Sequence, residues 1–143
     1  MILVDTNVWG RIAQKSDPQH KLATDALGWA IRHNTPAIAA QSLYELWVVA
    51  TRPLDKNGLG WPPPRAAAWM HACRRTCRFL PDDPRIFDIW SDLVTAHATQ
   101  GKSAHDARLV ASMRLNGIGA ILTFNTGDFK RYGIHVIDPA ALP

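Results

Sequence analysis

The chain has 143 residues, 47% of them hydrophobic and 20% charged, which fits one globular domain over 1–143 and excludes a disordered or low-complexity protein. Sixteen Lys and Arg against twelve Asp and Glu leave a net charge of +4, a balance that suits a polyanionic partner without requiring one. No apolar run approaches the ~20 residues needed to cross a bilayer. No basic segment followed by a long apolar stretch opens the chain, so the expected location is cytoplasmic.

Ile2-Leu3-Val4 is a short apolar run closed by Asp5-Thr6-Asn7, a helix-start signal. One helix is expected to about Gln14, and a second after Asp17-Pro18 that buries Leu22, Ala26, Trp29 and Ala30 at helical spacing. A turn at 34–36 leads to a strand over 37–40, then to a helix carrying Leu43, Leu46, Trp47, Val49 and Ala50. The stretch 52–64 holds four of the ten prolines and reads either as a functional rim or as a plain connector. Pro62-Pro63-Pro64 pre-sets a helix over 65–78. It carries Cys73 and Cys77, the only two cysteines, expected to be reduced and packed on one helical face.

Phe79-Leu80 reads as a short edge strand. The next helix sets Ile86, Ile89, Trp90, Leu93, Val94 and His97 on one side. A helix over 103–116 ends at Gly117, a strand follows over 120–123, a short helix over 125–132 closes at Gly133, and a last strand occupies 134–137. Strands alternating with helices predict the α/β class, a three-layer α/β/α sandwich around a central, mainly parallel sheet of about five strands. Five of the six tryptophans fall at helical apolar positions and read as core; Trp61, in the Pro-rich stretch, could stack on a base or pack on a partner chain.

Four carboxylates stand out. Asp5 follows Ile2-Leu3-Val4, Glu45 follows the strand at 37–40, Asp106 opens an apolar helix, and Asp128 comes shortly after the strand at 120–123. Strand-to-helix turns of a wound parallel sheet share the edge formed by the strands' carboxyl ends, so these acids are expected to converge. Each one singly also fits a helix cap. Ser42 to Glu45 and Ser103 to Asp106 match a capping box, Asn125 to Asp128 nearly does, and Asp5 can cap its own helix. Taken together, three features favour a cation site. Glu45 is the chain's only glutamate and lies in an apolar helix with no Lys or Arg within one turn. Asp106 precedes Ala107, Leu109, Val110 and Ala111. The strands before Glu45 and Asp128 are short and apolar, as interior strands are. A buried unpaired carboxylate costs several kcal/mol and needs a partner or an ion. Oxygen donors without a Cys or His cluster select a hard ion, Mg²⁺ or Mn²⁺. In a basic protein, the matching substrate is a phosphodiester.

The ordered set of Met1 to Asn7, Ser42 to Glu45, His105 to Ala111 and Ile121 to Phe129 resembles the PIN-domain ribonucleases, specifically VapC-type toxins of bacterial toxin–antitoxin pairs. Arg52-Pro53 to Gly58-Leu59-Gly60 and the closing Val136 to Pro139 resemble them too. The resemblance implies a PIN-like fold and Mg²⁺-dependent endoribonuclease activity, with Mn²⁺ as a possible substitute. It makes Asp5 and Asp106 the most direct metal ligands, with Glu45 completing the set or holding a water. The fourth position falls on Asn125 or Asp128; Asp128 is taken as the acid and Asn125 as a hydrogen-bonding support. Thr6 and Asn7 would orient Asp5, and Thr123 would contact a ligand water. Attack of an activated water on phosphorus would leave a 5′-phosphate and a 3′-hydroxyl.

The resemblance also implies a homodimer and a small antitoxin whose basic residue fills the acidic pocket; operator DNA would be reached only through that antitoxin. Arg108 and Arg131 are candidate RNA contacts, and His105 a candidate neighbour of the phosphate. Two other classes that cluster acids fit less well. A haloacid-dehalogenase-like phosphatase needs a second Asp where Asn7 stands, and a receiver domain needs a phosphoacceptor Asp and a Lys that have no counterparts here. The non-enzymatic alternative is a PIN-like binding module that no longer cuts.

Overall fold

Five strands of three or four residues form one sheet: β1 Ile2–Val4, β2 Pro36–Ala39, β3 Arg78–Leu80, β4 Ala120–Leu122 and β5 His135–Ile137. The computed structural model describes residues 1–142. The strand order is β3-β2-β1-β4-β5, and all four pairings are parallel. β1 is therefore central, with Leu3 opposite both Ala37 and Ile121, and Phe79 lies on an edge strand as expected.

Strand alternation sends successive residues to opposite faces, and the two cores divide accordingly. Ile2, Val4, Ile38 and Leu122 pack with Trp9, Ala26 and Leu46 on one side. Leu3, Ala37, Ala39 and Ile121 pack with Leu93, Val110 and Phe129 on the other. Helices α1 Thr6–Ala13, α2 His20–His33, α3 Ala40–Thr51 and α4 Pro63–Thr76 contribute to the first core. Helices α5 Arg85–Ala96, α6 Ser103–Leu115 and α7 Thr126–Phe129 contribute to the second. The result is a three-layer α/β/α sandwich. No helix among the described residues is long and apolar enough to cross a membrane.

Some local expectations are corrected. The buried stripe of α2 is Ala23, Ala26 and Ala30, while Leu22 is 39% exposed: small alanines let the helix seat closely, and Leu22 falls outside that stripe. Among the described residues Trp9 is the only fully buried tryptophan, while Trp29, Trp69 and Trp90 pack partly buried against the two cores. Trp61 is half-buried, with the Arg65 guanidinium 4.0 Å over its ring and Trp69 packed edge-on. Cys73 and Cys77 are free thiols, both pushed up to about 12 by burial, which keeps them protonated and unreactive at neutral pH.

Candidate active site

Asp5 leaves the central strand at its carboxyl end and caps α1, its Oδ1 accepting from the Thr6 backbone N–H at 2.7 Å. Its other oxygen accepts from Asn7 Nδ2 at 2.8 Å and from the Thr123 hydroxyl at 2.7 Å. Thr123 is fully buried, and its hydroxyl oxygen also accepts from Asn7 Nδ2 and the Asn125 N–H, each at 3.0 Å. That exhausts one donor and two lone pairs. Thr123 is thus spent on holding Asp5, not on a water as expected.

Glu45 lies in the second turn of α3, because the helix starts directly at Ala40 without a connecting loop. The capping-box alignment fails for that reason, and the buried Ser42 hydroxyl has no partner. Both Glu45 oxygens accept from side chains: Oε2 from the Thr6 hydroxyl and Oε1 from Gln41 Nε2, each at 2.8 Å. Gln41, buried at 6% exposure, also donates to the His105 carbonyl at 3.0 Å and accepts from Arg108 at 3.1 Å. It ties α3 to α6. Gln41 was not foreseen, although a glutamine four residues before the only glutamate shares its helical face.

Asp106 arrives by a different route from the one the sequence suggested. No strand precedes α6; the helix follows α5 through a helix–helix connection. Because α6 leads into the parallel strand β4, its first turn lies over the strands' carboxyl ends. The indole N–H of Trp90 fastens that turn by donating to the Ala104 carbonyl at 2.8 Å. Asp128 stands in the short helix α7 and is exposed. Neither Asp106 nor Asp128 has a side-chain hydrogen bond to any described residue, and none of the four acids takes part in an ion pair with one. Neither helix is capped by these acids.

All four acids border one cleft with two lobes. The larger, about 940 Å³, is lined by Glu45, Asp106 and Asp128 among others. The smaller, about 590 Å³, is lined by Asp5, Glu45 and Asp106. Asn125 borders both lobes, and Asp128 only the larger. Burial raises Asp5 to about 6, against the Thr123 and Thr6 hydrogen bonds and with help from Glu45 and Asp128. Burial likewise raises Asp106 to about 6, with Asp128, Asp5 and Glu45 adding repulsion. The four charges therefore interact across one space. Among the described residues, however, no three His, Cys, Asp or Glu side chains stand close enough together to cage an ion. This donor set fits Mg²⁺ in its usual protein form, held by one or two carboxylates and otherwise hydrated; it does not fit a dry cage.

A family model described as PIN domain matches residues 2–134. The chain belongs to the PIN domain family. It is 27% identical over 148 residues to Ribonuclease VapC24 of Mycobacterium tuberculosis, across 97% of both chains. Among solved structures it resembles M. tuberculosis VapC20, described as a sarcin-ricin loop cleaving toxin. The TM-score is 0.70 and the identity 24%, over 94% of this chain and 96% of the other. It also resembles VapBC2 from Rickettsia felis, solved bound to a DNA fragment from their promoter. There the TM-score is 0.71 and the identity 16%, over 96% and 98% of the two chains. These structural likenesses establish the PIN-like fold.

Proposed function

We propose that this PIN protein is a Mg²⁺-dependent endoribonuclease toxin of the VapC kind, acting in the cytoplasm and restrained by a small antitoxin. The observation that carries the reading is the unpartnered, half-buried Asp106 facing Asp5, Glu45 and Asp128 across one cleft. Repulsion of that kind is tolerated where a cation is to be bound. The 27% identity to Ribonuclease VapC24 supports RNA as the substrate class.

Asp5 and Asp106 would hold Mg²⁺, or Mn²⁺ in its place, with Glu45 and Asp128 bordering it. Mg²⁺ bound there would acidify a water and offset charge on the phosphodiester. The protein supplies the rest. Thr6, Asn7 and Thr123 fix both oxygens of Asp5, and Thr6 and Gln41 fix those of Glu45. Each Glu45 oxygen keeps a lone pair, so Glu45 can accept the proton of an attacking water.

The partners follow from the same reading. The larger lobe carries Tyr44 and Val48, 60% and 53% exposed, beside the acids. This mixed apolar and acidic wall suits an antitoxin tail with a basic residue. The R. felis neighbour was solved as a VapBC pair on promoter DNA, which supports DNA binding through the antitoxin. A homodimer is part of the proposal.

One observation favours a second reading, a non-cutting PIN-like module: no three acids among the described residues reach ligating range. Incubating purified protein with labelled RNA, with and without Mg²⁺ or Mn²⁺, separates the two. Cleavage that requires the ion and leaves 5′-phosphate ends supports the enzyme. Binding without cleavage, in protein freed of antitoxin, supports the module.

A further inference from the structure

The segment from Arg52 to Trp61 folds back on the end of α3. Leu59, Gly60 and Trp61 donate their N–H groups to the carbonyls of Val49, Arg52 and Ala50 at 2.9, 2.9 and 2.8 Å. A Cβ on Gly58 would fall 2.0 Å from the Arg52 carbonyl oxygen, so only glycine fits there. Asn57 adopts the left-handed conformation at φ 60°, and its carbonyl accepts from the Arg52 guanidinium at 2.9 Å. These backbone bonds would cap α3 with any side chain at position 52. The arginine therefore calls for a separate reason.

Arg52 lines both lobes of the cleft, alongside Glu45 and Asp106. Three arginines line the cleft, and the other two are committed. Arg11 stacks 4.3 Å over Phe124 and bonds Gln19, while Arg108 pairs with Asp82 at 2.6 Å. The Arg52 side chain makes one bond, to the Asn57 carbonyl. Its Nε is buried without a partner, and no described carboxylate lies within 4 Å of it. The terminal N–H groups not bonded to Asn57 are left free for a ligand beside the acidic pocket, and such a guanidinium matches the non-bridging oxygens of a phosphodiester.

We propose that Arg52 is a phosphate-binding residue that grips an RNA backbone phosphate next to the one cleaved, setting the strand's path between the two lobes. This rests on the nuclease reading above. The Arg52-to-Gly60 motif then both ends α3 and holds Arg52 beside the acidic cleft.

The test uses the full chain with Asp106→Asn to block cleavage, and a fluorescent single-stranded RNA titrated at several salt concentrations. Adding Arg52→Gln should weaken binding about tenfold, the loss of one charged hydrogen-bonded contact. The slope of log affinity against log salt should become shallower by about 0.7, the value for one phosphate on a single strand. Arg52→Lys should restore the slope but only part of the affinity, because an ammonium lacks the planar fork. Melting temperature and Mn²⁺ affinity of the single Arg52→Gln variant should stay at wild-type values. An unchanged slope overturns the assignment. So does a weakened RNA affinity that comes with lost Mn²⁺ binding or a lowered melting temperature, which would make Arg52 a structural residue. Wild-type protein that fails to cut RNA with Mg²⁺ refutes the nuclease reading instead, and the salt slope then judges the subsite alone.

Discussion

The two halves of the acidic cleft are built differently. On the side of α1 and α3, every oxygen of Asp5 and Glu45 is held by a protein donor, through Thr6, Asn7, Gln41 and Thr123. On the side of α6 and α7, Asp106 and Asp128 have no such donor among the described residues. One half is organised in advance, and the other is left for something outside the chain to complete. Donors fixed by packing hold a ligating oxygen in place, while unpaired acids supply the charge that attracts a cation. The comparison predicts that mutations on the two sides will differ in kind as well as in size.

The largest effect is expected on the open side. Asp106→Asn should lower Mg²⁺-dependent RNA cleavage by about three orders of magnitude, and raise the melting temperature of the metal-free protein by removing a repelled charge. Cleavage rate and calorimetry on the same sample check both. An active variant, or one that melts lower, would contradict the account.

The organised side should respond less, and with the opposite sign for stability. Gln41→Leu removes the donor to Glu45 and leaves the His105 carbonyl without its bond to that side chain. Activity should fall roughly 10- to 100-fold, with a stability loss of about 1–3 kcal/mol. Thr6→Val should act similarly on activity, since it removes the bond to the other oxygen of Glu45.

pH sharpens the comparison further. Asp5 and Asp106 titrate near 6 in the folded protein against 3.8 otherwise. Between those values the folded state holds protons that the unfolded chain has released. Metal-free stability contributed by these groups is therefore full below about pH 4 and is lost as pH rises through 6. Each group contributes at most about 1.4 kcal/mol per pH unit, less for the half-buried Asp106. Urea titrations from pH 4 to 7.5 should show that fall, and Asp106→Asn should reduce its slope. Asp83, lowered to about 2 by Arg85, titrates below this window. A flat profile in wild type would break the argument.

The smallest effect lies at the rim. Tyr44 donates to Asp82 at 2.9 Å on the exposed surface. Tyr44→Phe should change stability by less than about 0.5 kcal/mol.

The strands and the four acids were legible because each apolar run is short and ends abruptly, and because a lone glutamate in an apolar helix is conspicuous. What escaped was decided by contacts between segments far apart in sequence. The start of α3 at Ala40 moved Glu45 off the capping position, and only the missing loop after β2 explains it. Asp106 looked like the product of a strand-to-helix turn, yet it reaches the cleft because α6 runs toward the start of β4. Thr6 was expected to serve Asp5 alone; its hydroxyl crosses 39 residues to Glu45. Leu22 was expected in the core beside Ala26, Trp29 and Ala30; Ala26 and Ala30 are buried as expected, but Ala23 completes the stripe and Leu22 lies outside it.

Anomalous scattering from crystals of the full chain soaked in Mn²⁺ tests the central claim most directly. The account predicts a metal peak in the cleft between Asp5 and Asp106, with Glu45 beside it, and no such peak in the Asp106→Asn protein. Saturating Mn²⁺ that leaves this cleft without a peak in the wild-type crystal would contradict it.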